Sequence, residues 1–153
     1  MEVLVVVAIM GILFTIGPGL FMQTHKFFVL NRTRIELQRE ARTALSLINR
    51  NLRQAQISTI TIDQVSGQPY YSRIEFTKID GGWQQYYQKG MYLYMVTNST
   101  KTLTENLRYL AFAPMHSDEL NIISVSLTLE EKIYDNRTKA LHMASEKVMV
   151  MNE

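Results

Sequence analysis

The first 22 residues constrain this chain more than any others. From residue 3 to residue 22 no side chain carries a charge, and a helix needs about 20 such residues to cross the hydrocarbon core of a bilayer. A membrane span is the expectation. Its edge differs from that of a secretory signal, which opens on a basic segment and closes in a small-residue cleavage site; here the edge is marked by an acid, Glu2. An isolated carboxylate entering lipid costs about 2.5 kcal/mol or more, so Glu2 must be protonated, held among headgroups or paired with a cation. Simple residence in the headgroup layer and a functional pairing both meet that requirement.

The run Glu2-Val-Leu-Val-Val-Val-Ala-Ile-Met-Gly-Ile-Leu resembles, nearly residue for residue, the start of type IV pilins and type II secretion pseudopilins. In that family a short leader is removed before a Phe-Thr-Leu-x-Glu start, and Glu2 matches the glutamate with Met1 in the place of x. The resemblance implies that Glu2 pairs with the amino terminus of a neighbouring subunit as a filament grows. It also implies the partners: other pilin or pseudopilin subunits, the inner membrane before assembly, an assembly platform and, for a full-length start, a prepilin peptidase. No cofactor is implied. The sequence shows no leader, no glycine before the start and no Phe-Thr-Leu, so the expectation is a true start further upstream, the alternative being a protein that matures differently.

With 153 residues there is room for one modest domain beyond the span. The absence of cysteine excludes disulfides, thiolate metal sites and cysteine nucleophiles. The net charge of +2 conceals an uneven distribution. Residues 23–56 hold seven basic side chains against two acids, a net +5, whereas residues 57–153 hold nine against eleven, a net −2. The basic segment follows the span directly, which suits Arg32 and Arg34 to phospholipid headgroups or to carboxylates of adjacent subunits. A basic row also suggests nucleic acid, but no exposed aromatics interleave with it, and a solvated or headgroup-facing basic face ranks higher.

Gly17, Pro18 and Gly19 interrupt the apolar run, and proline inside a helix removes a backbone hydrogen bond and clashes with the carbonyl four residues back. Filament-forming pilins are similar in having proline or glycine where the helix melts on assembly, so these residues look like a stretchable joint; a plain kink is the alternative. Leu37, Ala41, Ala44, Ile48, Leu52 and Ala55 recur at helical spacing and define one face. The reading is a single helix from near Glu2 to about residue 56, roughly 80 Å long at about 1.5 Å per residue. One small domain cannot cover it, so lipid or other subunits must bury its first half.

Beyond residue 57 the period falls to two and β-branched and aromatic residues rise. Strands are expected over 57–62, 70–78, 83–88, 91–97, 103–112, 120–129 and 139–151, about six or seven in all, with Ile122, Val125, Leu127 and Leu129 pointing inward. The fold class is α+β: a long N-terminal helix packed on a C-terminal antiparallel sheet, divided as a membrane or filament-core helix (1–22), its amphipathic continuation (23–56) and a β-rich domain (57–153). This plan is similar to the pilin fold, and its pattern to the J-type minor pseudopilins and W-type minor pilins.

No catalytic set is present. His25, His116 and His142 are scattered, without the spacing zinc requires, Ser124 and Ser126 lack nucleophile-elbow glycines, and Asp118 with Glu119 falls short of calcium's six to eight oxygens. Asn31, Asn98 and Asn136 begin glycosylation-type triplets, which mean little for a pilin-like bacterial chain. Tyr70, Tyr71, Trp83, Tyr86, Tyr87, Tyr92 and Tyr94 cluster on consecutive strands, half expected in the core and half exposed as a lateral contact face, with ordinary strand composition as the alternative. The expectation is a non-enzymatic subunit, minor pilin or pseudopilin. It would sit single-pass in the bacterial inner membrane with its domain in the periplasm, then enter a pilus or pseudopilus. A major shaft pilin and a membrane-anchored DNA- or ligand-binding module of a competence system are the alternatives.

Overall fold

The computed structural model describes residues 2–116, 119–134 and 138–152, without the side chains of Glu2, His116, Glu119 and Leu120. One long helix, α1 (Glu2–Leu52, 51 residues), is followed by a 3-10 turn (Ile57–Thr59) and eight strands. These are β1 (Thr61–Asp63), β2 (Arg73–Thr77), β3 (Trp83–Lys89), β4 (Tyr92–Val96), β5 (Thr100–Thr104), β6 (Leu107–His116), β7 (Glu119–Ile133) and β8 (Thr138–Met149). All ladders are antiparallel, in two sheets ordered β1-β2-β3-β4-β5 and β6-β7-β8. The class is α+β, as the sequence suggests.

The face Leu37, Ala41, Ala44, Ile48, Leu52 and Ala55 is buried along its whole length. It lies against the inner sides of β7 and β8, where Ile123, Val125, Leu127, Leu129, Ala140 and Val148 are also buried. The alanines at 41 and 44 let the sheet approach the helix, and the larger side chains fill the space between. α1 ends at Leu52, four residues before the expected boundary. No glycine marks the stop; instead the last turn tightens, with Gln54 and Ala55 donating to the carbonyls three residues back. Asn152 Nδ2 then donates to the carbonyls of Arg53 (2.8 Å) and Ala55 (3.4 Å), satisfying acceptors that a helix end leaves open.

Several strand expectations need correction. Residues 57–62 are not one strand, because Ile57 donates to Asn152 and Ile60 back to Ile57, which curls the chain before β1 begins. β2 starts at Arg73 rather than residue 70, because Tyr71 takes a φ of +60° and turns its carbonyl to accept from Phe112 of β6. The polar β5 is a strand of its own, separated by a turn from β6, so eight strands form two sheets instead of one. On β7 the inward set is odd-numbered: Ile123 is buried while Ile122 lies on the outer face with Met149 as its cross-strand neighbour, since a period of two admits only one parity. The β3–β4 hairpin closes through Gly90 and Met91, with Gly90 at a φ of +62° that a two-residue hairpin turn requires at its first position.

The two sheets join along β6. Its free edge donates Leu107 N–H to Met91 O and Phe112 N–H to Tyr71 O, both at 2.9 Å. Gln88 supplies the third link, accepting from Leu110 N–H at 3.0 Å.

Candidate assembly face of the N-terminal helix

α1 divides into a bare half and a covered half. Its most apolar 18-residue window has a mean hydropathy of 2.5, and none of that window is buried within the chain. Phe14, Phe21 and Phe28 are 78%, 76% and 65% exposed. Val29 and Leu30 begin to pack against the core, Thr33 is buried, and from Leu37 onward one side of the helix is closed. The helix is thus long and apolar enough, near the N-terminus, to serve as a single membrane anchor.

Within that half the polar groups are quenched locally. Thr15 and Thr24 donate their hydroxyls to the carbonyls of Gly11 (2.8 Å) and Leu20 (2.9 Å), so neither donor is left bare in an apolar medium. The helix is continuous through Gly17, Pro18 and Gly19. Pro18 has no N–H to return to Phe14 O. A methyl group placed on Gly11, Gly17 or Gly19 would meet nothing within 4 Å, so the chain's own packing does not require glycine there. Glu2 opens the helix, and its side chain lies outside the described residues.

Beyond the bare apolar half, Arg32 pairs with Glu36 at 3.1 Å on the exposed surface. Arg34 is exposed too and forms no ion pair among the described residues. The three histidines are not gathered: His25 is exposed on α1, His142 is half-buried on β8, and the His116 side chain lies outside the described residues. Among the described residues no three His, Cys, Asp or Glu side chains form a metal-binding group. Ser124 and Ser126 sit on the outer face of β7, where Ser126 bonds the Ser145 hydroxyl at 2.8 Å. Asp118, the Glu119 side chain and Asn136 are outside the described residues; Asn31 is half-buried and Asn98 exposed.

The aromatic cluster does not split evenly. Only Tyr86 enters the core. Trp83, Tyr87, Tyr92 and Tyr94 occupy the outer face of the five-stranded sheet, with Tyr87 stacked on Tyr94 at 5.3 Å and Tyr92 5.9 Å from Tyr94. Tyr70 and Tyr71 are exposed before β2. Beside Tyr87 in the next row stands Arg73, held by the Asp63 carboxylate and near Glu75 at 3.6 Å. The hydrogen bond that Arg73 donates to Asp63 leads in raising the Arg73 pKa, against a smaller opposing desolvation.

Two polar clusters escaped the sequence reading. In the first, the Tyr86 hydroxyl accepts from Asn51 Nδ2 of α1 at 2.6 Å and from Gln84 Nε2 at 2.7 Å, while Lys78 Nζ reaches Asn51 Oδ1 at 3.0 Å. Burial is the main cause pushing the Tyr86 phenol up to about 12, and the Asn51 hydrogen bond partly opposes it. In the second, Glu130 accepts from Lys139 at 2.7 Å and Arg108 at 2.9 Å beside an open cleft of about 570 Å³ between the sheets. The hydrogen bond from Lys139 leads in holding the Glu130 carboxyl below its ordinary range. Alternation placed Gln84, Tyr86 and Gln88 on one side of β3, but only contact with Asn51 and β6 reveals which side.

The surfaces that stand out among the described residues are an uncovered apolar helix, a basic helical face and an aromatic sheet face. Compared with protein-family models, curated proteins and solved structures, the chain finds no match.

Proposed function

We propose that this protein is a non-enzymatic, pilin-like subunit that assembles through its N-terminal helix into a type IV pilus or a type II secretion pseudopilus. The observation that carries the reading is the division of α1: one continuous helix is covered on one side by its own sheets from Leu37 and left bare below Val29. A bare apolar helix must be enclosed by lipid or by other subunits. A helix that begins in the inner membrane and ends in a filament core meets both conditions in turn. The resemblance of the run beginning at Glu2 points the same way, and gives Glu2 the task of answering a cation on a neighbouring subunit.

The test is gold labelling of the 57–153 domain on sheared surface filaments and on envelope fractions. Label along shafts makes it a major subunit; label at tips or only in the envelope makes it a minor pilin or pseudopilin. Replacing Glu2 by alanine should leave the protein in the membrane and stop its incorporation. Normal incorporation of Glu2→Ala, or a monomer that never cross-links into filaments, would sink the assignment in favour of a membrane-anchored binding module.

A further inference from the structure

Five arginines, Arg32, Arg39, Arg42, Arg50 and Arg53, are exposed along α1 and the turn that directly continues it. At 3.6 residues per turn they fall within about 80° of arc, opposite the buried Ala41, Ile48 and Ala55. Phe14, Phe21, Phe28 and Ile35 follow at intervals of seven on the same side, so one ridge of the helix is apolar below and cationic above. Arg32 has Glu36; the other four form no ion pair among the described residues. Arg39 with Arg42, and Arg50 with Arg53, are like charges three residues apart and repel, and no acid occurs in the sequence between Glu40 and Asp63. Glu146 is held by the neighbouring Asn49 but forms no ion pair with either arginine, so the upper pair stays open to a counter-charge from outside the chain.

Lipid does not supply it. From residue 22 to Arg50 is about 42 Å of helix, roughly five Debye lengths at physiological ionic strength. A complementary surface exists at the other end of the same domain. Asn106 Nδ2 donates to Glu40 at 3.3 Å and its carbonyl accepts from Glu130 N–H at 2.7 Å. This gathers Glu40, the exposed Glu105 and the half-buried Glu131 where the β5–β6 turn and the end of β7 meet the helix. Of the nearby cations, Arg108 and Lys139 are taken by Glu130, and Lys132, which lines the same cleft as Glu131, is exposed and forms no ion pair among the described residues.

We propose that the arginine ridge of one copy, at Arg50 and Arg53, docks on the carboxylate rim of a second copy, at Glu40, Glu105 and Glu131. This rests on the filament reading. Matching the two levels displaces the second copy by about 15–20 Å along the helix. The same step brings its bare residues 14–22 beside Phe28 and Ile35 of the first, so apolar surface covers apolar surface where charge covers charge. Ridge against ridge is excluded by repulsion. The contact joins unlike surfaces, so it propagates as an open filament rather than closing as a symmetric dimer.

Because the chain has no cysteine, introduced thiols report contacts without background. Full-length chains carrying Arg50→Cys and Glu105→Cys are co-expressed, oxidised mildly in membranes and in sheared filaments, and resolved without reductant. The mixed disulfide should exceed either homodimer severalfold. Arg50→Glu with Arg53→Glu should abolish assembly, and adding Glu105→Arg with Glu131→Arg should restore it. Filaments without the mixed product, or with equal yields of all three disulfides, overturn the contact and leave the filament reading intact. Absence of both filaments and cross-link overturns both. A monomer in detergent that binds duplex DNA through Arg50 and Arg53, and gives no mixed disulfide, assigns the ridge to nucleic acid instead.

Discussion

Gln88 of β3 accepts a hydrogen bond from the backbone N–H of Leu110 on β6 at 3.0 Å, and its Nε2 donates to the carbonyl of Arg108 at 3.2 Å. One side chain therefore stands in for a pair of ladder bonds at the point where the two sheets meet. Gln88→Leu keeps the volume but removes the partner of both backbone groups, and the buried Leu110 N–H left unpaired costs about 1–3 kcal/mol. Urea unfolding of the full chain in detergent, followed by the fluorescence of Trp83, should show a midpoint well below that of the wild type. An unchanged midpoint would mean that β6 is held by other contacts.

Tyr86 gives a signature at high pH. Its folded pKa is pushed up to about 12 from the ordinary 10.0, chiefly by burial. The native state thus holds the phenolic proton more tightly than the unfolded chain does, so this stability is fully present below pH 10 and is lost as pH rises from 10 through about 12. The loss amounts to about 2–3 kcal/mol. Tyr86→Phe removes the acceptor shared by Asn51 and Gln84, so it should lower stability at pH 7. It should also flatten the alkaline slope; an equally steep fall above pH 10 in Tyr86→Phe would reject the account.

Glu130 works at the other end of the scale. Its folded pKa lies below the ordinary glutamate value, with the Lys139 hydrogen bond as the largest cause. The stabilisation is present above the ordinary glutamate pKa and fades as pH falls through the depressed folded value. Because Arg108 and Lys139 are about half exposed, solvent screening holds the effect to about 1 kcal/mol or less. Glu130→Gln should lower stability at pH 7 by that small amount, and the difference from the wild type should shrink as pH falls below the ordinary glutamate range, as read from thermal midpoints in detergent.

Pro18 withholds a donor from Phe14 O in the middle of the bare helix. Pro18→Ala restores a helical hydrogen bond at a place where proline costs about 3 kcal/mol. Amide exchange of residues 15–22 in micelles should slow markedly. If residues 17–19 must loosen during assembly, the stiffer helix should enter the membrane normally yet appear in filaments less often. Unchanged exchange together with normal incorporation would leave this triplet without a role as a joint.

How far the sequence carries depends on whether a pattern is local. The uncharged run 3–22 and the Leu37-to-Ala55 face are legible because uncharged length and helical spacing involve only near neighbours; the structure has the first as bare apolar helix and the second as a buried face. β3, β7 and β8 are legible for the same reason. β5 is not: Thr100-Lys101-Thr102-Leu103-Thr104 has little apolar content, and pairing with β4 makes it a strand. The parity error at Ile122 arises because Ile122 and Ile123 are chemically alike, so only the helix decides which one is covered. Gln84, Gln88 and Asn51 look like surface residues until partners far along the chain are in place.

Asn49 donates to Glu146, and α1 lies chiefly against β8 and β7. The helix is thus completed by a strand that is synthesised long after it. Until β8 emerges, the covered face of the helix has only β7 and part of its partner surface, so the domain cannot close fully during synthesis. Contacts between such distant parts of a chain form slowly. The nascent protein should therefore spend an appreciable interval tethered and open, and in that interval binding by chaperones at the membrane surface competes with proteolysis.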